Sequence, residues 1–250
     1  MLSILKGIFA VALADSVVEK TEVGAGDIID AVRSVGGDNA DLFKVIFMHS
    51  TIAGKLEKAQ LLEFAKYTDP QGIERKTNIA YWGSRLVIVN DLCPVIANPA
   101  VYELTADEDI VSGKDYYTRS GSEGSYVYTK VASPVKTDLG TYYEKVSEAN
   151  HQYVCYVLGA NAFCYQPLPM LHKTEMDRDI LKHGGETILA DRERFILAPE
   201  GISFVKPNVR KISNSVLETG SNWEIVHDVD NNELAKKAIP FAKLVYTFED

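Results

Sequence analysis

Three cysteines, Cys93, Cys155 and Cys164, and five histidines, His49, His151, His172, His183 and His227, are the residues of this 250-residue chain best suited to chemistry. A cysteine nucleophile needs a neighbouring base and surroundings that favour the thiolate; His49 or His151 would have to supply that base. Cys155, however, lies in the apolar run 154–158, which points to a buried and inert thiol. A metal site needs several ligands gathered at helical or hairpin spacing. The histidines are scattered, and none pairs with an acid at such spacing. The cysteines are odd in number and contain no CxxC pair, as in a reducing compartment. His49, between Met48 and Ser50, reads as a hydrogen-bonded histidine on a helix. The glycines at 24/26, 36/37 and 184/185 invite a phosphate-loop reading, but none stands between a strand and a helix in GxGxxG or GxxxxGK[ST] order. They read as turn glycines. In Asp191-Arg192-Glu193-Arg194, strand alternation puts the acids on one face and the arginines on the other, which suits cross-strand or intersubunit ion pairs. No catalytic, cofactor-binding or metal-ligating residue is assigned, and the chain is expected not to be an enzyme.

The elements that would position these residues follow from periodicity. Leu2, Leu5, Ile8, Phe9, Ala12 and Leu13 fall at helical spacing. The same N-terminal stretch carries a lysine, a short apolar run and Ala12-Leu13-Ala14 placed like a signal-peptidase site, but the packed helix is the better reading. Residues 27–35 predict a short helix ending at Gly36-Gly37. Beyond a cap at Asp38 or Asn39, Leu42, Val45, Ile46, His49, Ile52, Ala53 and Leu56 predict one helix of about four turns with a single apolar face. Residues 67–77, with Asp69-Pro70, read as a polar loop. Residues 77–91 read as two strands joined around Trp82-Gly83-Ser84, the second, 85–90, buried on both faces.

Between residues 101 and 150, glycine, serine, acids and tyrosine replace aliphatic residues, as in a structured surface excursion. Residues 153–158 predict a buried strand, 159–161 a turn and 162–165 a return. Residues 167–185 read as a loop. A long strand over 186–198 then turns at Pro199-Glu200-Gly201 into 202–206, forming a second hairpin separate from the first sheet. A turn or helical segment at 233–238 precedes a last strand at 241–248.

Composition narrows the function. Hydrophobic residues make up 46% of the chain and charged residues 24%, which places it with ordered globular proteins. The net charge of -9 and the lack of any Lys/Arg block argue against sequence-independent nucleic-acid binding. The longest apolar stretch, 8–14, is far too short to span a membrane.

Four segments, in order, resemble the major capsid proteins of tailed bacteriophages, in the group carrying a Met-His-Ser helix. Leu2-Ser3-Ile4-Leu5-Lys6-Gly7-Ile8-Phe9-Ala10 is similar to the end of the family's spine helix. Phe47-Met48-His49-Ser50-Thr51-Ile52-Ala53-Gly54-Lys55-Leu56 carries the Met-His-Ser element. Tyr81-Trp82-Gly83-Ser84-Arg85-Leu86-Val87-Ile88-Val89-Asn90-Asp91, followed by Cys93-Pro94, resembles a strand-Gly-strand unit. The fourth joins Tyr156-Val157-Leu158-Gly159-Ala160-Asn161-Ala162-Phe163 to the strands from Glu186 to Ile202.

The resemblance implies an α+β protein with the fold shared by tailed-phage capsids and encapsulin shells. It has an axial domain and a discontinuous peripheral domain made of a spine helix plus a long β-hairpin. Residues 1–20 would form the spine helix and 21–180 the axial domain, with a tyrosine-rich insertion at about 101–150. Residues 181–250 would form the peripheral hairpin and C-terminal segment. The family's N-terminal arm and extended loop lie ahead of the point where this sequence starts. A longer native subunit, a cleaved or split product, or a companion chain would account for them.

The implied partners are further copies of the chain, in pentamers and hexamers, with portal, scaffold and decoration proteins. No cofactor, membrane or sequence-specific nucleic acid is implied, and the expected location is the virion, assembled in the host bacterial cytoplasm. Arg192, Arg194, Glu200 at the hairpin tip, Tyr116/Tyr117 and Tyr126/Tyr128 are the expected contact residues, the tyrosine-rich stretch serving capsomer or outer-surface contacts. The rival readings are an encapsulin-like compartment, a cysteine-dependent hydrolase using Cys155 or Cys164, and a ligand-binding module using the tyrosine-rich stretch.

Overall fold

A computed structural model describes residues 1–68, 74–106, 109–181, 184–206 and 212–249. Its first helix, Leu2–Ile8 (α1), buries Ile4, Leu5 and Ile8. Turns follow, and by Val17–Lys20 (β1) the chain is extended. The spine helix expected over 1–20 is therefore only a two-turn helix. Val17 and Val18 are β-branched and favour the strand, and a parallel partner at the far end of the chain, Lys243 to Tyr246, captures them. Asp27–Gly36 (α2) matches its prediction, ending where Gly37 adopts φ +53°.

The helix expected through Leu42 and Leu56 is instead two elements, Phe43–Met48 (β2) and Ser50–Lys58 (α3). The i, i+3, i+4 spacing of apolar residues misleads because β2 is covered on both sides. Ile46 and Met48 enter one core while Val45 and Phe47 pack on the other. Aromatic and β-branched residues suit such a strand.

Glu63–Thr68 (β3) pairs with Glu74–Trp82 (β4), so most of the expected loop at 67–77 is strand; Asp69-Pro70 lies outside the described residues. Gly83 and Ser84, with φ of +53° and +64°, form the tight turn to Arg85–Val89 (β5). The hairpin is as predicted, but β5 buries only Val87, so the expectation of burial on both faces is corrected. Val95–Asn98 (β6) follows. The tyrosine-rich excursion is a four-stranded sheet built from Val101–Leu104 (β7), Tyr116–Ser120 (β8), Val127–Lys130 (β9) and Tyr143–Ser147 (β10), in the order β7-β10-β8-β9.

Asn150–Gly159 (β11) is the buried strand predicted at 153–158, lengthened at both ends. Phe163–Pro167 (β12), Thr174–Asp179 (β13), Glu186–Asp191 (β14) and Phe195–Pro199 (β15) come next. The long strand expected at 186–198 is thus broken at residues 192–194, and the loop expected at 167–185 contains a strand. Ile202–Phe204 (β16), Asn214–Glu218 (α4), Trp223–Ile225 (β17) and Phe241–Glu249 (β18) complete the chain. The expected pairing of β15 with β16 does not form. β15 pairs with β12 and β16 with β17.

The principal sheet runs β1-β18-β11-β2-β5-β4-β3, with β6 also joined to β11. It draws β1 from residues 1–20, β18 from 181–250 and the rest from between. β11 and β18 run antiparallel side by side and alternate into two cores. Cys155, Val157, Leu244 and Tyr246 face α2 and α3, whereas Val154, Tyr156, Phe241 and Val245 face α1, β16 and β17. In the first core the Tyr246 hydroxyl donates to Asp27 Oδ2 at 2.8 Å, and Gly24 N–H donates to the same oxygen at 2.6 Å. These bonds satisfy a carboxylate that is otherwise costly to bury.

Candidate functional site

Residues 163–181 and 184–199 form a two-part, two-stranded ribbon that leaves the body of the protein. β12 pairs with β15, and β13 with β14, as two antiparallel pieces in series separated by a break at residues 168–173 and 192–194. Two further backbone bonds bridge the junction, from Leu168 N–H to Arg194 O (2.8 Å) and from Arg192 N–H to Lys173 O (2.9 Å). Phe163 and Leu197 pack on the second core, Phe163 meeting the Phe241 ring edge-on at 5.3 Å. They anchor the root of the ribbon.

Beyond the root the side chains are large, apolar and exposed. Leu171 is 94% exposed, Leu181 96%, Met176 74% and Leu189 67%. Register makes Met176 and Leu189 direct partners on one face, while Ile188 lies on the other beside Asp177. Arg192 pairs with Glu175 at 2.6 Å, and Tyr165 donates to Glu193 at 3.1 Å. A two-stranded ribbon alone is marginal in water, and the rest of the chain leaves these apolar side chains uncovered.

The tyrosine-rich sheet has two different faces. On one, Tyr116 and Tyr142 are buried, and their hydroxyls accept from Val111 N–H (2.9 Å) and Val135 N–H (3.1 Å). On the other, Tyr102 stacks on Tyr128 at 4.0 Å, with Tyr117 and Tyr143 set edge-on around the pair. Arg119 lies over Tyr126 and Tyr143. Such a cluster presents rigid aromatic surface with polar tips.

Against these surfaces the expected contact residues divide. Arg192 and Arg194 are exposed on the ribbon, Arg192 in a cross-strand pair. Glu200 is exposed, but it stands at the ribbon's root, where its N–H donates to Ala162 O at 2.9 Å, and not at a tip. Tyr126 is exposed, and Tyr117 and Tyr128 are half-buried in the ring cluster. Tyr116 is 1% exposed and belongs to the small core, so it is corrected from contact to structural residue. The sequence reading missed Met176, Ile180, Leu181 and Leu189. Their signal was the polar-flanked Met176 opposite Ile188-Leu189 across Gly184-Gly185, a hairpin pattern.

Of the three cysteines, Cys93 and Cys155 are buried and Cys164 is exposed. Cys155 is fully buried, and desolvation pushes its thiol far above the ordinary range; burial pushes Cys93 up to about 11. Both thiols are therefore protonated near neutrality. Cys164 is exposed on β12 opposite Ala198. His49 is not within a helix but caps one. Its Nδ1 accepts from Thr51 N–H at 3.1 Å, and Nε2 lies 3.8 Å from Asp91 Oδ1. Among the described residues no group of three metal-ligating side chains comes together, and no helix is long and apolar enough to cross a membrane. His183 lies outside the described residues.

No protein-family model matches the chain, and no curated protein matches it.

Proposed function

We propose that this chain is a shell subunit, the major capsid protein of a tailed bacteriophage, with the axial and peripheral domains that the sequence resemblance implies. The ribbon of residues 163–181 and 184–199 carries the reading. Beyond its root it exposes Leu171, Met176, Leu181 and Leu189, side chains that a neighbouring copy would cover. A projecting element that docks on a different surface of the next copy makes a head-to-tail contact, and such contacts close into rings when the rotation allows. Modest interfaces repeated around each ring then suffice for a stable container, without tight pairwise affinity.

The tyrosine sheet supplies a second surface of the kind found at protein interfaces, with aromatic rings and an arginine on one face. Electron microscopy of the chain, expressed alone and in its native source, tests the proposal. Rings or closed shells in either preparation are the expected result, and DNA within native particles identifies them as heads. Dispersed monomer in both preparations overturns the reading, and particles filled with enzyme cargo replace the phage head by a compartment.

A further inference from the structure

Beside the β4–β5 turn, a cleft of about 390 Å³ lies between α2, the 3-10 turn before β2, and the turn itself; its charged residues are Arg33, Asp41, Lys44 and Arg85. Three are cations, in a chain whose net charge is -9. Arg33 projects from the last turn of α2 and Lys44 from β2, both exposed, and among the described residues neither has an ion-pair partner. Arg85 is held differently. Its Nη1 donates to Gly83 O at 2.8 Å and its Nη2 reaches Ala40 O at 3.4 Å, while its buried Nε has no hydrogen-bond partner. Desolvation lowers the pKa of this guanidinium, and only Asp41 opposes that by attraction. A half-buried cation bonded to carbonyls, without a carboxylate in contact, is electrostatically incomplete. An anion completes it, and a guanidinium fork suits the oxygens of a phosphate or carboxylate.

We infer that this cleft is a binding site for an oxyanion group, held by Arg33, Lys44 and Arg85. The geometry of the turn supports the assignment. Gly83 and Ser84 both adopt positive φ, which folds Arg85 back onto the Gly83 carbonyl and fixes the guanidinium before any ligand arrives. Arg33 and Lys44 close the cleft from two other elements, so the site is assembled by tertiary structure. It does not depend on whether the chain forms shells.

Calorimetric titration of the full chain with inorganic phosphate, and separately with acetate, at constant ionic strength set by chloride, tests the site. Saturable binding of at least one of the two is expected; phosphate alone marks a phosphoryl site, and acetate as well marks a site that also takes carboxylates. Arg33→Ala and Lys44→Ala, both changes of exposed side chains, should each weaken that binding about tenfold, a typical loss for one charge-assisted hydrogen bond. Arg85→Lys, which keeps the charge and removes the fork, should weaken it as well. Absence of saturable binding by the unaltered chain overturns the inference, as does binding that survives unchanged in the Arg33→Ala/Lys44→Ala double variant.

Discussion

Asp91 ties the end of one element to the start of another. Its carboxylate accepts from the Ser50 N–H at 3.2 Å, at the first turn of α3, and faces His49 Nε2, whose other nitrogen caps the same helix. Hydrogen bonds from Ser50 are the main cause of its lowered pKa, and His49 adds attraction. Because the folded-state pKa lies below the unfolded one, the contribution is complete above the unfolded value of about 3.9 and disappears as pH falls through the folded value. Asp91→Asn should therefore lower the melting temperature at neutral pH by no more than a few degrees. The gap from the unaltered chain should narrow below about pH 3.9 as the native carboxylate protonates. A melting-temperature series against pH checks this, and a gap that widens in acid would contradict the assignment. The role of His49 was half legible. Its residue type and its neighbours pointed to a hydrogen-bonded histidine, but a cap differs from a helix interior only through where the strand before it ends.

At the scale of elements, the ribbon and β2 show the same ambiguity from opposite sides. β2 is an apolar run that local spacing reads as helix, and two layers of core make it a strand. β13 is a polar run, Thr174-Glu175-Met176-Asp177-Arg178-Asp179, that composition reads as loop, and pairing with β14 makes it a strand. Neither decision is local, since a strand's backbone groups are satisfied by a partner elsewhere along the chain.

The ribbon's exposed apolar pairs also separate stability from association. Met176→Glu with Leu189→Glu replaces two side chains that the isolated subunit leaves in water. The unfolding free energy of the isolated chain should change by no more than about 0.5 kcal/mol per site, the usual range for exposed positions. Assembly, read by sedimentation velocity and microscopy, should be lost. Retained assembly would show that the ribbon is not a contact element, whereas a large loss of monomer stability would show that it packs within the subunit.

For the whole molecule, the tyrosine-rich sheet is an attachment to the principal sheet. Its first and last strands are paired at Val101 and Ser147, so the insertion leaves and rejoins the body at neighbouring points, and it has a small core of its own in Tyr116 and Tyr142. Replacing residues 101–147 by a short glycine linker should leave a protein that still unfolds in one cooperative transition, checked by calorimetry and circular dichroism. Loss of that transition would mean that the insertion is integral to the body. Sequence by itself determined the α2 helix with its glycine end, the Gly83-Ser84 hairpin, the buried β11, the terminal β18 and the structured character of residues 101–150. Each of these rests on local chemistry: turn residues that tolerate positive φ, caps, and apolar runs of strand length. Only the tertiary structure decided that α1 stops after two turns, that residues 42–56 divide into strand and helix, and that β18 inserts between β1 and β11. It also decided that β12 pairs with β15 and β13 with β14, and that Arg33, Lys44 and Arg85 share a cleft. The physical reason is that strand pairing and two-sided burial join residues distant in sequence, and no local periodicity records which partner will supply the missing hydrogen bonds or the second covering layer.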